Sequence, residues 1–583
     1  MPSPRERLVP VVARRSAGDW VSQFADQVIA RAAARPPGEP IVCASGLSPS
    51  GPIHLGNLRE VMTPHLVADE IRRRGHECVH LVSWDDYDRF RKVPTGVDAS
   101  WAEHVGKPLS LVPAPPGSAY DSWAEHFKAP MQTALDELGI EVRGVSQTEQ
   151  YTSGAYRKQI LLAMREREKI DAVLGRYRTR ATPSATQRLP TDADDAEAAR
   201  VAAEGSGAAS EDDGAAAGGY FPYKPYCSFC QRDLTTVTGY DDDTTALSYT
   251  CACGHAETVL LSEHDRGKLV WKVDWPMRWA YERVDFEPSG VDHTSPGSSF
   301  VVGGQIIEEV FGAQQPIGPM YAFVGISGMA KMSSSRGDVP IPSDALRIME
   351  APLLRWLYAR RKPPQSFTIA FDQEIQRLYD EWDALGRKIA TGSAGEAESI
   401  AYGRAVRTAK GPLPSTPRPL PYRMLASIVD ITTGHDEQVL RILRQVDVDD
   451  PVTSLEQTQP RLGKAAHWVR TQVPAEQRTH VREEPDAELL ASLGATERES
   501  LALLLAGLEE HWSLEGLTTL LYGVPKQQAG LPPDVTPTPE LKAAQRSFFV
   551  LLYRLLLGSD TGPRLPTLLL ALGSDQMRRL LGG

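Results

Sequence analysis

A chain of 583 residues is too long for one hydrophobic core and predicts at least about three domains. It holds no apolar run of about 18 residues, and its first residues lack the hydrophobic stretch of a secretion signal, so a membrane-spanning or exported protein is not expected and the cytoplasm is the expected location. A formal net charge of −12 argues against nonspecific attraction to polyanions; any nucleic-acid binding must come from local basic faces.

Residues 1–17 read as a flexible basic Pro/Arg tail. Pro40-Ile41-Val42-Cys43-Ala44 is a short apolar run ahead of a Gly/Pro/Ser-rich turn, the pattern of a buried strand entering a loop. From His54 onward Leu55, Leu58, Met62, Leu66, Val67 and Ile71 recur at helical spacing, and Gly75 offers a stop. Strand, glycine loop and helix therefore follow in order. The free N–H groups and positive dipole end of such a helix can hold a polyphosphate, with His54 and Asn57 as donors from its first turn. Alone, the segment fits a helix cap in an ordinary α/β domain equally well. Cys78 to Trp84 reads as a second strand, and it ends in the polar loop Asp85 to Pro94; ligands of open α/β sheets bind beyond such strand ends.

Gln187 to Gly219 is rich in Ala, Gly, Asp and Glu and predicts an unstructured insert with no catalytic role. Immediately after it, Cys227-Ser228-Phe229-Cys230 is answered by Cys251-Ala252-Cys253-Gly254-His255. Two short-spaced pairs on separate turns can converge on a tetrahedral ion: Cys227, Cys230 and Cys251 supply three ligands, and Cys253 and His255 compete for the fourth place. A reducing compartment disfavours disulfides, so one structural Zn2+ is expected, while Cys43 and Cys78 read as buried inert thiols. Trp271, Trp275 and His293 can wall a pocket or serve as ordinary aromatic core. The small-residue loop Gly328 to Asp338 presents Lys331 among Ser333, Ser334 and Ser335, a mobile cation suited to charge building on phosphates. From Ser343 the chain reads as helical, with Arg355, Arg360, Arg361 and Lys362 as a candidate RNA-facing or solvated basic face. A Leu-rich end carries Arg554, Arg564, Arg578 and Arg579.

The segment Ser45 to Asn57 and the downstream Lys331-Met332-Ser333-Ser334-Ser335, in this order, resemble the paired nucleotide signatures of class I aminoacyl-tRNA synthetases. Trp84-Asp85-Asp86-Tyr87-Asp88-Arg89-Phe90-Arg91-Lys92-Val93-Pro94, Ala124-Glu125-His126-Phe127, Val273-Asp274-Trp275-Pro276-Met277-Arg278-Trp279, Asp285-Phe286-Glu287-Pro288 and Gly562-Pro563-Arg564-Leu565 narrow the resemblance to the class I lysyl-tRNA synthetases, across about residues 18–583. The resemblance implies an α/β fold: a Rossmann-type parallel-sheet catalytic domain (18–105 and 267–342) interrupted by a connecting insertion with the zinc knuckle (106–266). A stem-contact helical region (343–420) and an all-α anticodon-binding domain (421–583) would follow.

It also implies ATP-dependent ligation of L-lysine to tRNA(Lys) through a lysyl-adenylate, with Mg2+, activation that needs bound tRNA, and action as a monomer. Carried onto matching positions, Pro49, Ser50, Gly51, His54, Gly56, Asn57, Lys331, Met332, Ser333 and Ser335 would bind ATP, with His54, Asn57 and Lys331 catalytic. Gly46, Ser48, Trp271, His293 and Tyr321 would bind lysine, Ser48 standing where many relatives have threonine. Archaeal relatives carry a second metal cluster near Val112 to Asp121; here only His126 could contribute, so one zinc is expected. Two rivals share the fold: a paralogue that loads another acceptor, disfavoured by the intact C-terminal region, and a silent tRNA-binding regulator, disfavoured by the complete nucleotide signatures.

Overall fold

The computed structural model describes residues 19–36, 38–94, 96–178, 215–216, 219–327 and 339–582. The basic tail, most of the 187–219 insert, and Lys331, Met332, Ser333 and Ser335 lie outside the described residues. The chain forms two compact units, one made of Met1–Ser343, Arg355–Ile369 and Gly395–Leu413, the other of Asp344–Leu354, Ala370–Ala394 and Pro414–Gly583.

The first unit is built on a parallel sheet. Strand β1 (Ile41–Leu47) pairs with β2 (Cys78–Trp84), and β2 pairs with β3 (Arg143–Ser146). Ile41, Val42, Cys43 and Ala44 are buried on both faces, which is why β1 reads as a continuous apolar run rather than an alternating one. On its other edge Cys43 bridges Phe286, and Phe286 bridges Ile317, both in parallel, with Ala44 N–H donating to the Phe286 carbonyl at 2.8 Å. Chain order thus reverses beside β1: one branch runs β1, β2, β3, and the other returns through Phe286 and Ile317. Such a switch point opens a crevice at the carboxyl ends of the strands.

Helices cover the sheet. Helix α1 (Trp20–Ala32) is capped by Asp19, which accepts from the N–H groups of Val21 and Ser22; α2 (Leu58–Arg73) connects β1 to β2, and α3 (Trp123–Glu137) precedes β3. Helices α4 (Trp271–Glu282) and α5 (Ser299–Glu309) follow the inserted region, and Trp275, Trp279 and Ile307 pack against Val42, Ala44, Leu81 and Val145 of the sheet. Arg355, read from the sequence as a candidate for the RNA-facing side, has 0% exposure. Its guanidinium donates to the carbonyls of Leu138, Arg404 and Ala405 and meets His65 Nε2 at 2.8 Å, so it ties the ends of two helices together and is unavailable to an external phosphate.

The described residues of the second unit hold helices and no strand, including Glu374–Ala390, Tyr422–Ile431, Arg461–Gln472, Leu514–Gln528 and Pro539–Leu557. The last of these starts with Thr538 as cap and Pro539 in its first turn, and ends at Gly558 with φ 74°, a left-handed stop that a glycine adopts without strain. At this unit's centre Arg461 is pinned between Glu350 (2.7 Å) and Asp383 (2.8 Å), over the ring of Tyr379, which stacks on Tyr422 at 4.1 Å. Among the described residues no helix is long and apolar enough to cross a membrane.

Candidate active site

The turn after β1 is fastened from three sides. Asp85 N–H donates to the Leu47 carbonyl (2.9 Å), Trp123 of α3 donates its indole N–H to the Ser50 carbonyl (3.2 Å), and Leu55 N–H donates to the Pro340 carbonyl (2.8 Å). Pro49 and Gly51 are buried, Ser50 is exposed, and Gly56 and Asn57 lie in the short 3-10 turn that starts α2. His54 caps that turn with extended backbone, and its Nδ1 is buried without a hydrogen-bond partner among the described residues. Burial holds the imidazole near a pKa of about 4, so at neutral pH it is uncharged, and one ring nitrogen is a donor in need of an acceptor.

The crevice at the switch point contains a cavity of about 260 Å3. Gly46, Ser48, Trp271, His293 and Tyr321, drawn from four separate stretches of sequence, all line it, and Ser50 and Asn57 reach the same space. Trp271 stacks on Trp275 (centroids 5.1 Å apart, 17° between planes), and His293 meets the Trp275 ring edge-on at 5.5 Å. Trp271, Trp275 and His293 therefore wall the cavity, and Trp275 at the same time belongs to the core that packs on the sheet.

Four acids complete the lining: Asp85 and Glu287, which fall in stretches the resemblance had marked, and Glu60 and Glu282, which no sequence signal singled out. Glu60 of α2 accepts from Gly46 N–H (3.1 Å) and from the Tyr321 hydroxyl (3.1 Å). Burial, reinforced by the charge of Glu287, pushes its carboxyl up to about 8. Glu287 accepts from both Trp275 and Trp279 indoles, and burial raises it to about 7. Asp85 is raised to about 6 by burial, which its partner Arg278 only partly offsets. Acids held above their usual range in a cavity are paired too weakly with protein cations, and a bound cation would restore their charge.

Behind this wall runs a chain of alternating charge: Arg278 joins Asp85 to Asp274, and Lys268 joins Asp274 (3.3 Å) to Asp88. Tyr151 adds a hydroxyl to Asp274, which is wholly buried. The chain fixes the loop after β2 against the first turns of α4, and with it Trp271 at the mouth of the cavity.

In the inserted region Thr235–Tyr240, Ala246–Cys251 and Ala256–Leu260 form an antiparallel sheet that brings the two cysteine pairs together. The sulfurs of Cys227, Cys230, Cys251 and Cys253 all lie within 4.8 Å of one another, with Cys227–Cys253 at 3.8 Å and Cys230–Cys251 at 3.6 Å. Tetrahedral metal–sulfur bonds of about 2.3 Å set sulfurs roughly 3.8 Å apart, so the four thiols fit a metal ion. His255 stands aside, its Nε2 meeting Ser228 Oγ (3.1 Å) and Glu257 (3.4 Å). His126 Nδ1 meets Ser118 Oγ at 2.9 Å, and the four cysteines are the one such ligand group among the described residues.

A family model described as "tRNA synthetases class I (K)" matches residues 18–410. A lysine–tRNA ligase from Streptomyces coelicolor is 67% identical, over 98% of this chain and 100% of that protein. A lysine–tRNA ligase from Pyrococcus horikoshii is 32% identical over 95% of this chain and 97% of its own length, and one from Treponema pallidum is 30% identical over 96% and 98%. With a parallel sheet whose chain order reverses beside β1, a family model matched over residues 18–410 and relatives matched nearly end to end, the chain belongs to the class I (K) family of tRNA synthetases.

Proposed function

We propose that this enzyme ligates L-lysine to tRNA(Lys) through a lysyl-adenylate, consuming ATP with Mg2+. The observation that carries the choice of amino acid is Glu60: a part-buried carboxyl, lining the cavity between Gly46 and Tyr321, whose ionisation awaits a cation. The side-chain ammonium of lysine, placed against Glu60 and the Tyr321 hydroxyl with Glu287 nearby, supplies that charge. Its methylenes then lie along Trp271, with His293 and the Ser48 hydroxyl on the remaining sides.

That placement leaves the α-carboxylate at the turn carrying Ser50 and Asn57. A carboxylate oxygen attacks the α-phosphorus of ATP, the bond to the bridging oxygen breaks, and pyrophosphate leaves. Neutral His54 and Asn57 donate hydrogen bonds to phosphate oxygens, while the Lys331 ammonium neutralises charge that grows in the transition state. In the second step a ribose hydroxyl at the tRNA 3′ end attacks the lysyl carbonyl and AMP leaves. Cys227, Cys230, Cys251 and Cys253 hold a structural Zn2+, whose part is to brace the inserted region. The tRNA acceptor supports a cytoplasmic location.

Pyrophosphate exchange measured across the amino acids, with and without lysine tRNA, tests the reading. Exchange that requires lysine and is stimulated by its tRNA is expected. Exchange supported by another amino acid, or unchanged when tRNA is removed, would overturn it.

A further inference from the structure

Helix α2 carries Arg59 directly before Glu60, and these two consecutive residues reach two consecutive residues across the cavity wall. Glu60 accepts from the Tyr321 hydroxyl at 3.1 Å, and Arg59 Nη1 donates to the Ala322 carbonyl at 3.0 Å. The same guanidinium donates to the carbonyls of Gln365 (2.8 Å) and Lys362 (2.9 Å) and lies over the Phe367 ring, 5.3 Å from its centroid. Arg59 is only 3% exposed, and burial lowers its pKa to about 10, which leaves it charged at neutral pH. Its three hydrogen bonds all end on main-chain carbonyls. A planar fork of donors spent on backbone in this way fixes where chain segments stand relative to one another.

The segment that Arg59 fixes is the one that presents Tyr321 to the cavity. Met320–Tyr321 pairs in parallel with Ser289–Gly290, a ladder of two residues, and the chain beyond it is held from the side of α2. Ala322 N–H donates to the Pro363 carbonyl at 2.9 Å, and Val324–Ile326 pairs in parallel with Phe367–Ile369. Lys362, Gln365 and Phe367, the other partners of Arg59, belong to that neighbouring strand and the turn before it. One side chain thus holds both chains that flank Ala322 to the first turn of α2. Glu60 points from the same turn to the Tyr321 hydroxyl, so the spacing between carboxyl and hydroxyl depends on where Arg59 holds Ala322.

We propose that Arg59 is a positioning residue of the lysine site: by holding the Ala322 carbonyl it keeps the Tyr321 hydroxyl against Glu60, so that the side-chain ammonium of lysine meets both groups at once. The inference rests on lysine as the substrate. Arg59 does not touch the ligand in this account and acts only through Tyr321. A residue that merely braced the fold would weaken lysine binding by the same factor whether or not Tyr321 carried its hydroxyl. A residue that acts through that hydroxyl loses its effect once the hydroxyl is gone.

The test is a double-mutant cycle on the full chain, with lysine affinity measured by calorimetry in wild type, Arg59→Lys, Tyr321→Phe and the double variant. The lysine ammonium keeps the charge but cannot span three carbonyls as the guanidinium does. Arg59→Lys should weaken lysine binding about tenfold beside Tyr321, and by less than about twofold beside Tyr321→Phe. Arg59→Gln, which is neutral, serves for the same cycle if the helical circular dichroism signal of Arg59→Lys is lost, and the same pattern is expected of it. Equal losses in the two backgrounds, or lysine binding unchanged by either substitution of Arg59, would overturn the proposal. A wild-type chain that binds no lysine would instead overturn the substrate assignment beneath it, and that outcome is read without any variant.

Discussion

Leu55 N–H donates to the carbonyl of Pro340 at 2.8 Å, which fastens the chain leaving the Lys331 segment to the residue after His54. The two nucleotide signatures are thus anchored to each other by backbone at one end, although Lys331 itself lies outside the described residues. A group delivered from such an anchored segment should act on the charge that develops during transfer. Lys331→Ala is expected to slow lysine- and tRNA-dependent pyrophosphate exchange by about 100- to 1000-fold while the KM for ATP changes far less. Parallel losses in ATP binding and in rate would contradict the role.

The cysteine knuckle makes a separate, chemical prediction. Cys253, and not His255, shares a mutual 4.8 Å radius with Cys227, Cys230 and Cys251. Elemental analysis should find about one zinc per chain. Cys253→Ser, or Cys227→Ser with Cys230→Ser, should release it, and His255→Ala should retain it. Zinc lost from His255→Ala and kept in Cys253→Ser would reverse the ligand assignment.

The parts of the fold that obey a local period were legible in the sequence. The apolar run Ile41 to Ala44 and the helical spacing from Leu55 to Ile71 fall on β1 and α2 as expected. The return branch through Phe286 and Ile317 was not readable as strands, because single bridges broken by Pro288 carry no alternation. Gly46, Ser48, Trp271, His293 and Tyr321 came from resemblance, and the cavity does bring them together. Glu60 was missed for a physical reason: an acid in the first turn of a helix is ordinary. Only the way α2 folds back over β1 aims it at Gly46. Arg355 misled for the opposite reason, since its neighbours Leu353, Leu354, Leu357 and Tyr358 suggested an amphipathic face, whereas the helix is buried all round.

In the helical unit Arg461 carries an uncomplicated stability prediction. Its guanidinium holds Glu350 and Asp383, both withdrawn from water, and burial already raises the Asp383 carboxyl. Arg461→Met would leave two acids without a counter-charge, and loss of one partner from a buried pair costs about 3–5 kcal/mol. Urea unfolding should show that loss in the helical unit. A change below about 1 kcal/mol would mean that water reaches the pair and screens it.

Glu60 gives the pH prediction. Held at about 8 by burial in the empty cavity, it is mostly protonated at pH 7 and must release its proton when lysine's ammonium binds. Lysine affinity should therefore rise as pH increases from about 6 to 8, helped at the lower end by Glu287 at about 7, and then level until the ammonium itself deprotonates near about 10.4. For the fold the sign is opposite. A carboxyl whose pKa rises on folding favours the protonated folded state, so its contribution to stability declines as pH climbs from about 4.3. That decline is complete once pH passes about 8, where the folded group ionises. Glu60→Gln should weaken lysine binding by about 1.5–3 kcal/mol and leave only the shallower slope of Glu287. Calorimetry in buffers of different ionisation enthalpy should detect proton release on binding at pH 7. A flat affinity profile between pH 6 and 8, or binding without proton release, would remove Glu60 from the ammonium site.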